Sequence, residues 1–197
     1  MSDSSTVIEP KEAASLTESR HVEVDPHLFV IFGATGDLTS RKLLPALYHL
    51  MQREDVAEQC FVLGAARTKL SDEDFREEAR EALAEQGFSD EQLADWCGHN
   101  LFYQCLGDAG DDTDALRGRI HELEDEYDLP GNRAFYLSLP PSIYGSVTEA
   151  LGEAGLNESP GWTRLVIEKP FGFDLASARE LNDTVHEHFE EEQIYRI

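Results

Sequence analysis

Lysine is scarce in this 197-residue chain, occurring only as Lys11, Lys42, Lys69 and Lys169. Basic residues total 16 against 40 acidic ones, for a net charge of -24. A surface of that sign repels nucleic acid and anionic lipid, so neither is an expected partner. It also opposes any phosphorylated ligand. An anion site must therefore be built locally, from backbone amides and a few placed cations. Abundant acid with little lysine matches a salt-adapted surface, on which salt screens the self-repulsion.

Cysteine is rare as well. Cys60, Cys97 and Cys105 form neither a CxxC pair nor an even framework, which points to buried structural thiols in a reducing compartment. No apolar run reaches the roughly 18 residues of a membrane span. No basic segment followed by an apolar one opens the chain, so no signal peptide is expected and the expected location is the cytoplasm. His186 and His188 stand two apart and share no helix face, so no metal site is expected.

What is present is regular. Residues 1–25 are polar and acidic without periodicity and read as a flexible arm. Residues 27–197 read as one dinucleotide-binding domain. Apolar strand-like runs fall at 27–32, 60–65, 101–105, 134–139 and 164–169, and helical patterns at 39–53, 72–86, 113–127, 142–154 and 174–190. Strands apolar on both faces, alternating with helices, predict an α/β fold: a Rossmann-like, doubly wound, mainly parallel sheet with helices on both faces. Ligands of such sheets sit beyond the carboxyl ends of the strands. The final "EEQIYRI" reads as the start of a further strand, so the sequence is expected to be a fragment.

The stretch "HLFVIFGATGDLTSRKLLPALYHL" joins the first strand to the first helix through Gly33 and Gly36. The first glycine permits a tight turn, and the second lets a phosphate approach the main chain. Thr39 or Ser40 can cap the helix, whose N-terminus attracts an anion. Asp37 would harm such a site if it pointed inward, and is expected to turn away and bond the local backbone. The second strand ends in "GAARTKL". Many NAD sites carry an acidic residue there; this chain offers Arg67, with Lys69 beside it, and a guanidinium fits a 2′-phosphate. NADP is therefore expected over NAD. Tyr144 lies in the first turn of the helix after "LSLPP", where it can touch a cofactor or pack as an ordinary core tyrosine. Lys169 stands with Pro170 at the end of the fifth strand in "RLVIEKPFGFDL". There it can contact a sugar hydroxyl or phosphate, and a cis Lys–Pro bond is possible.

In order, "FGATGDLTSRKLLPAL", "GAARTKL", "FYLSLPPSIY", "RLVIEKPFGFDL" and "EEQIYRI" resemble the N-terminal coenzyme-binding domain of the glucose-6-phosphate dehydrogenase family over about residues 27 to 197. The resemblance implies oxidation of glucose 6-phosphate to its 6-phospho-lactone with hydride transfer to NADP, in the pentose phosphate pathway. It implies that Gly33, Ala34, Thr35, Gly36, Asp37 and Leu38 form the phosphate turn and that Arg67 recognises the 2′-phosphate. It further implies that Tyr144 contacts the cofactor and that Lys169 lies between nicotinamide and sugar. Lys42 matches a basic position near the active site, and Thr35 stands where many relatives have serine. The family continues Asp-His-Tyr-Leu-Gly-Lys, whose histidine is the general base. The resemblance thus places no catalytic base within this chain, and implies that the family's C-terminal α+β domain, which carries substrate contacts and the oligomer interface, is absent. Glucose 6-phosphate and homo-oligomer formation are expected only of the full-length protein.

Two other readings compete. One is a stand-alone dinucleotide-binding sensor or interaction module. The other is a short-chain reductase or epimerase, whose Tyr-x-x-x-Lys pair fits poorly: Tyr48, Tyr127 and Tyr144 are followed at that spacing by Gln52, Gly131 and Thr148.

Overall fold

A computed structural model describes residues 24–52, 60–88 and 91–197. The arm expected over residues 1–25 lies almost wholly outside the described residues. Strands β1 (His27–Phe32), β2 (Cys60–Ala66), β3 (Leu101–Cys105), β4 (Arg133–Leu137), β5 (Thr163–Ile167) and β6 (Ile194–Arg196) form one sheet in the order β3-β2-β1-β4-β5-β6. Every pairing is parallel. The final strand is the one anticipated from "EEQIYRI". Chain order reverses between β1 and β4, and that switch point opens a crevice at the carboxyl edge of a sheet of this order.

Both sheet faces are covered. Leu28, Val30 and Phe32 of β1 face one cluster, with Leu116, Ile120 and Leu123 of α4 (Thr113–Glu126), Tyr144 and Leu151 of α5 (Tyr144–Glu153) and Leu181 and Val185 of α6 (Leu175–His186). Ile31 faces the other, with Leu47 and Tyr48 of α1 (Leu44–Met51), Phe75, Ala79 and Leu83 of α2 (Asp72–Ala84) and Trp96 and Cys97 of α3 (Glu91–Asn100). The period-2 alternation along β1 thus feeds two cores, and its continuous apolar run follows from burial on both sides.

Helix α3 was not among the expected elements. Its apolar positions Leu93, Trp96 and Cys97 have helical spacing and are buried, but the element is short and runs directly into β3. Strands β4 and β5 end two residues earlier than expected, at Leu137 and Ile167. Pro140 and Pro170 follow closely, and proline has no amide to extend a ladder. The last expected helix, 174–190, ends at His186. Its start is fixed by reciprocal bonds: Asp174 accepts from the Ser177 amide at 2.8 Å, and the Ser177 hydroxyl takes the Asp174 amide at 3.0 Å.

Candidate coenzyme site

The site begins where β1 stops. Gly33 has φ +79°, and a Cβ there would stand 2.1 Å from the Ser138 carbonyl oxygen. Only glycine fits this corner. The amides of Gly33 and Ala34 both reach the carbonyl of Ala65, at 2.9 and 3.3 Å, which ties the turn to the end of β2. The Gly36 amide closes the turn on the Gly33 carbonyl at 2.9 Å.

The helix starts at Asp37, directly after Gly36, and passes through a π-helical turn, Thr39–Leu43, so Thr39 and Ser40 lie inside it. This corrects the expectation that Thr39 or Ser40 is the cap. Thr39 is fully buried; its hydroxyl donates back to the Gly33 carbonyl at 3.1 Å and lies 3.2 Å from Ser138 Oγ. Ser40 Oγ bonds the Asp37 carbonyl at 3.2 Å. A helix start without a side-chain cap leaves amides for an external acceptor. Asp37 does turn outward, but its partner is the Arg41 guanidinium at 2.9 Å rather than the local backbone. A cation one helical turn on outcompetes a neutral amide for an exposed carboxylate.

At the end of β2, two neighbours on β3 fix the backbone. The Tyr103 hydroxyl donates to the Thr68 carbonyl at 2.7 Å, and Cys105 Sγ lies 3.5 Å from the Arg67 carbonyl. Burial pushes the Tyr103 phenol up to about 12, so it remains a donor. Arg67 and Thr68 are exposed at the carboxyl edge, and the hydroxyls of Thr68 and Thr35 meet at 3.1 Å. Beyond β4, Leu139, Pro140, Ile143 and Val147 form an apolar wall.

These parts enclose a cleft of about 790 Å³ across the switch point, lined also by Phe32, Ala65 and Ala66. The volume is within the usual range for ligand sites. Gly33, Thr35, Gly36 and Arg67 line it; Ala34 is buried beneath the turn, and Asp37 and Leu38 lie at the helix start just outside. Tyr144 is 2% exposed and sits in the core; Ile143 and Val147 present to the cleft from its neighbourhood. Lys169 is exposed at the end of β5, away from the cleft lining, with its amide on the Ile197 carbonyl at 3.0 Å. Its bond to Pro170 is cis. Lys42 lines a separate hollow with Arg41, Glu85 and Gln86.

The residues not foreseen include Thr68, Ser138, the apolar wall from Leu139 to Val147, and the wall formed by Leu106, Asp108, Ala109 and Gly110 after β3. The "GDAGDD" stretch held a signal, a glycine pair directly after a strand, and both Gly107 and Gly110 have positive φ.

A six-stranded parallel sheet in this order, with a glycine turn at its switch point, defines a Rossmann-type dinucleotide-binding domain. The family model described as glucose-6-phosphate dehydrogenase, NAD binding domain, matches residues 30–197, and the chain belongs to that family. It is 50% identical over 171 residues to the glucose-6-phosphate 1-dehydrogenase of Aggregatibacter actinomycetemcomitans, covering 85% of this chain and 34% of the relative. The corresponding enzyme of Bacillus subtilis is 39% identical over 170 residues, covering 86% and 34%. A solved glucose-6-phosphate dehydrogenase in complex with glucose-6-phosphate superposes with a TM-score of 0.75 at 35% identity, over 88% of this chain and 36% of that one. The chain spans about a third of the length of the curated relatives it matches.

Proposed function

We infer that this chain is the coenzyme-binding part of an NADP-dependent, cytoplasmic glucose-6-phosphate dehydrogenase. The full-length protein then oxidises glucose 6-phosphate to 6-phosphogluconolactone. The observation that carries the NADP reading is the position of Arg67, exposed in the cleft at the end of β2 with no acidic residue in its place. A hydroxyl-accepting carboxylate there suits NAD, whereas a guanidinium suits a 2′-phosphate.

The residues present fit a dinucleotide. The Gly33–Ser138 contact leaves backbone, not side chain, at the turn, so a pyrophosphate can approach the amides of Thr35, Asp37 and Leu38. Thr35 and Thr68 supply hydroxyls beside Arg67, and the wall from Leu139 to Val147 suits an apolar ring face. Tyr144 supports that wall from beneath. The bound nicotinamide supplies the hydride acceptor. Lys169 stands exposed at the end of β5, outside the cleft lining, and its assignment to the sugar-phosphate side rests on the family resemblance of the "EKPFG" stretch.

The chain spans about a third of the enzymes it matches, so it is expected to bind coenzyme without turnover. Phe173, Leu175 and Ile197 are 78%, 67% and 50% exposed in the segments after β5 and β6, which favours a further part of the polypeptide packing on this edge. The test is an assay of the chain alone and of the same chain continued by its gene's downstream sequence, with glucose 6-phosphate and NADP. Reduced nicotinamide forming only with the longer protein supports the reading. Activity of the chain alone, or none with glucose 6-phosphate in the longer protein, contradicts it.

A further inference from the structure

The rim of the cleft beside Arg67 is not uniformly cationic. The connection from β3 to α4 folds into a turn, with Gly110 donating to the Gly107 carbonyl at 3.2 Å and both glycines at positive φ. This turn lies on the stem of Arg67: a Cβ on Gly110 would stand 3.0 Å from Arg67 Cγ. The same turn carries Asp108, which lines the cleft. Its carboxylate is 92% exposed and lies 3.7 Å from Nζ of Lys69, the second cation at this strand end. A carboxylate therefore stands in the wall that faces Arg67 and already engages the neighbouring ammonium.

We propose that Asp108 is a specificity-determining residue that lowers the preference of the site for a 2′-phosphorylated adenosine ribose over an unphosphorylated one. A phosphate monoester carries about -1.5 to -2 charges at neutral pH. Placed at Arg67, it meets repulsion from Asp108 and loses the help of Lys69. A ribose hydroxyl meets neither penalty, since a carboxylate is an acceptor for it. The interaction crosses solvent at the rim, so its size is that of an exposed pair and salt weakens it. The proposal rests on the reading of Arg67 as the 2′-phosphate residue.

The test is calorimetric titration of the chain with adenosine 2′,5′-bisphosphate and with AMP, using wild type, Asp108→Asn and Arg67→Ala. Asparagine keeps the shape of an exposed side chain and removes its charge. Asp108→Asn should tighten the bisphosphate about 2- to 5-fold, leave AMP unchanged, and lose most of that gain in about 0.5 M salt. An equal change for both nucleotides, no change, or weaker bisphosphate binding overturns the proposal. Arg67→Ala reports separately on the underlying reading, because it should weaken the bisphosphate selectively whatever Asp108 does.

Discussion

Gly33 and Ser138 touch through their backbones, with only 2.1 Å between the position of a Cβ on Gly33 and the Ser138 carbonyl oxygen. The contact joins the end of β1 to the end of β4, the pair between which the sheet reverses direction of winding. The coenzyme turn and the apolar wall are therefore set against each other by the one residue type that permits it.

Replacing Gly33 with alanine should destabilise the fold by about 2–5 kcal/mol, from a left-handed backbone cost plus overpacking. Chemical denaturation measures the loss. Coenzyme affinity should fall even in the population that remains folded, because relieving the clash moves the turn.

The thiols should separate by reactivity. Burial pushes Cys60 and Cys97 up to about 12, whereas Cys105 is half-buried beside the Arg67 backbone. Iodoacetamide at about pH 8 should label Cys105 in the native protein and all three cysteines only after unfolding. NADP should slow labelling of Cys105.

Acid should weaken the helix ends. The Ser71 hydroxyl holds the Asp74 carboxyl below its ordinary value, the Ser177 amide does so for Asp174, and the Arg196 guanidinium does so for Glu191. Each group takes its proton earlier in the unfolded chain than in the fold. Its contribution is therefore complete above the ordinary carboxylate range and is lost as pH falls through the depressed value. Burial lowers the His27 value too, which adds loss below its ordinary 6.5. The urea midpoint should fall modestly below about pH 4. Asp174→Asn, which can still cap, should make that slope shallower with little change at neutral pH.

A net charge of -24 predicts that stability depends on ionic strength. The melting temperature should rise steeply with molar salt, as screening relieves self-repulsion. A melting temperature independent of salt would remove the salt-adapted reading of the surface.

The parallel sheet was legible because strands buried on both faces cannot hide their apolar runs, as in Phe29 to Phe32 and Phe61 to Ala66. The glycine turn was legible for a related reason: Gly33 has no substitute in its geometry. The order of the strands was not legible, since pairing between β1 and β4 joins residues about a hundred positions apart. Threonine caps helices, but the Thr39 hydroxyl is taken up by the Gly33 carbonyl and by Ser138 Oγ, a partner about a hundred positions away. The wall from Leu106 to Gly110 is not legible because a glycine pair after a strand marks a turn but not its neighbour, and the loop becomes part of the site only by lying against Arg67.

The central claim is that this cleft selects a 2′-phosphorylated dinucleotide through Arg67, and calorimetric titration of the chain with NADP and NAD tests it most directly. NADP should bind more tightly, and Arg67→Ala should weaken NADP about 10- to 100-fold while changing NAD little, as for loss of a charge-assisted contact. Equal affinity for the two coenzymes, or equal losses on substitution of Arg67, would contradict the account.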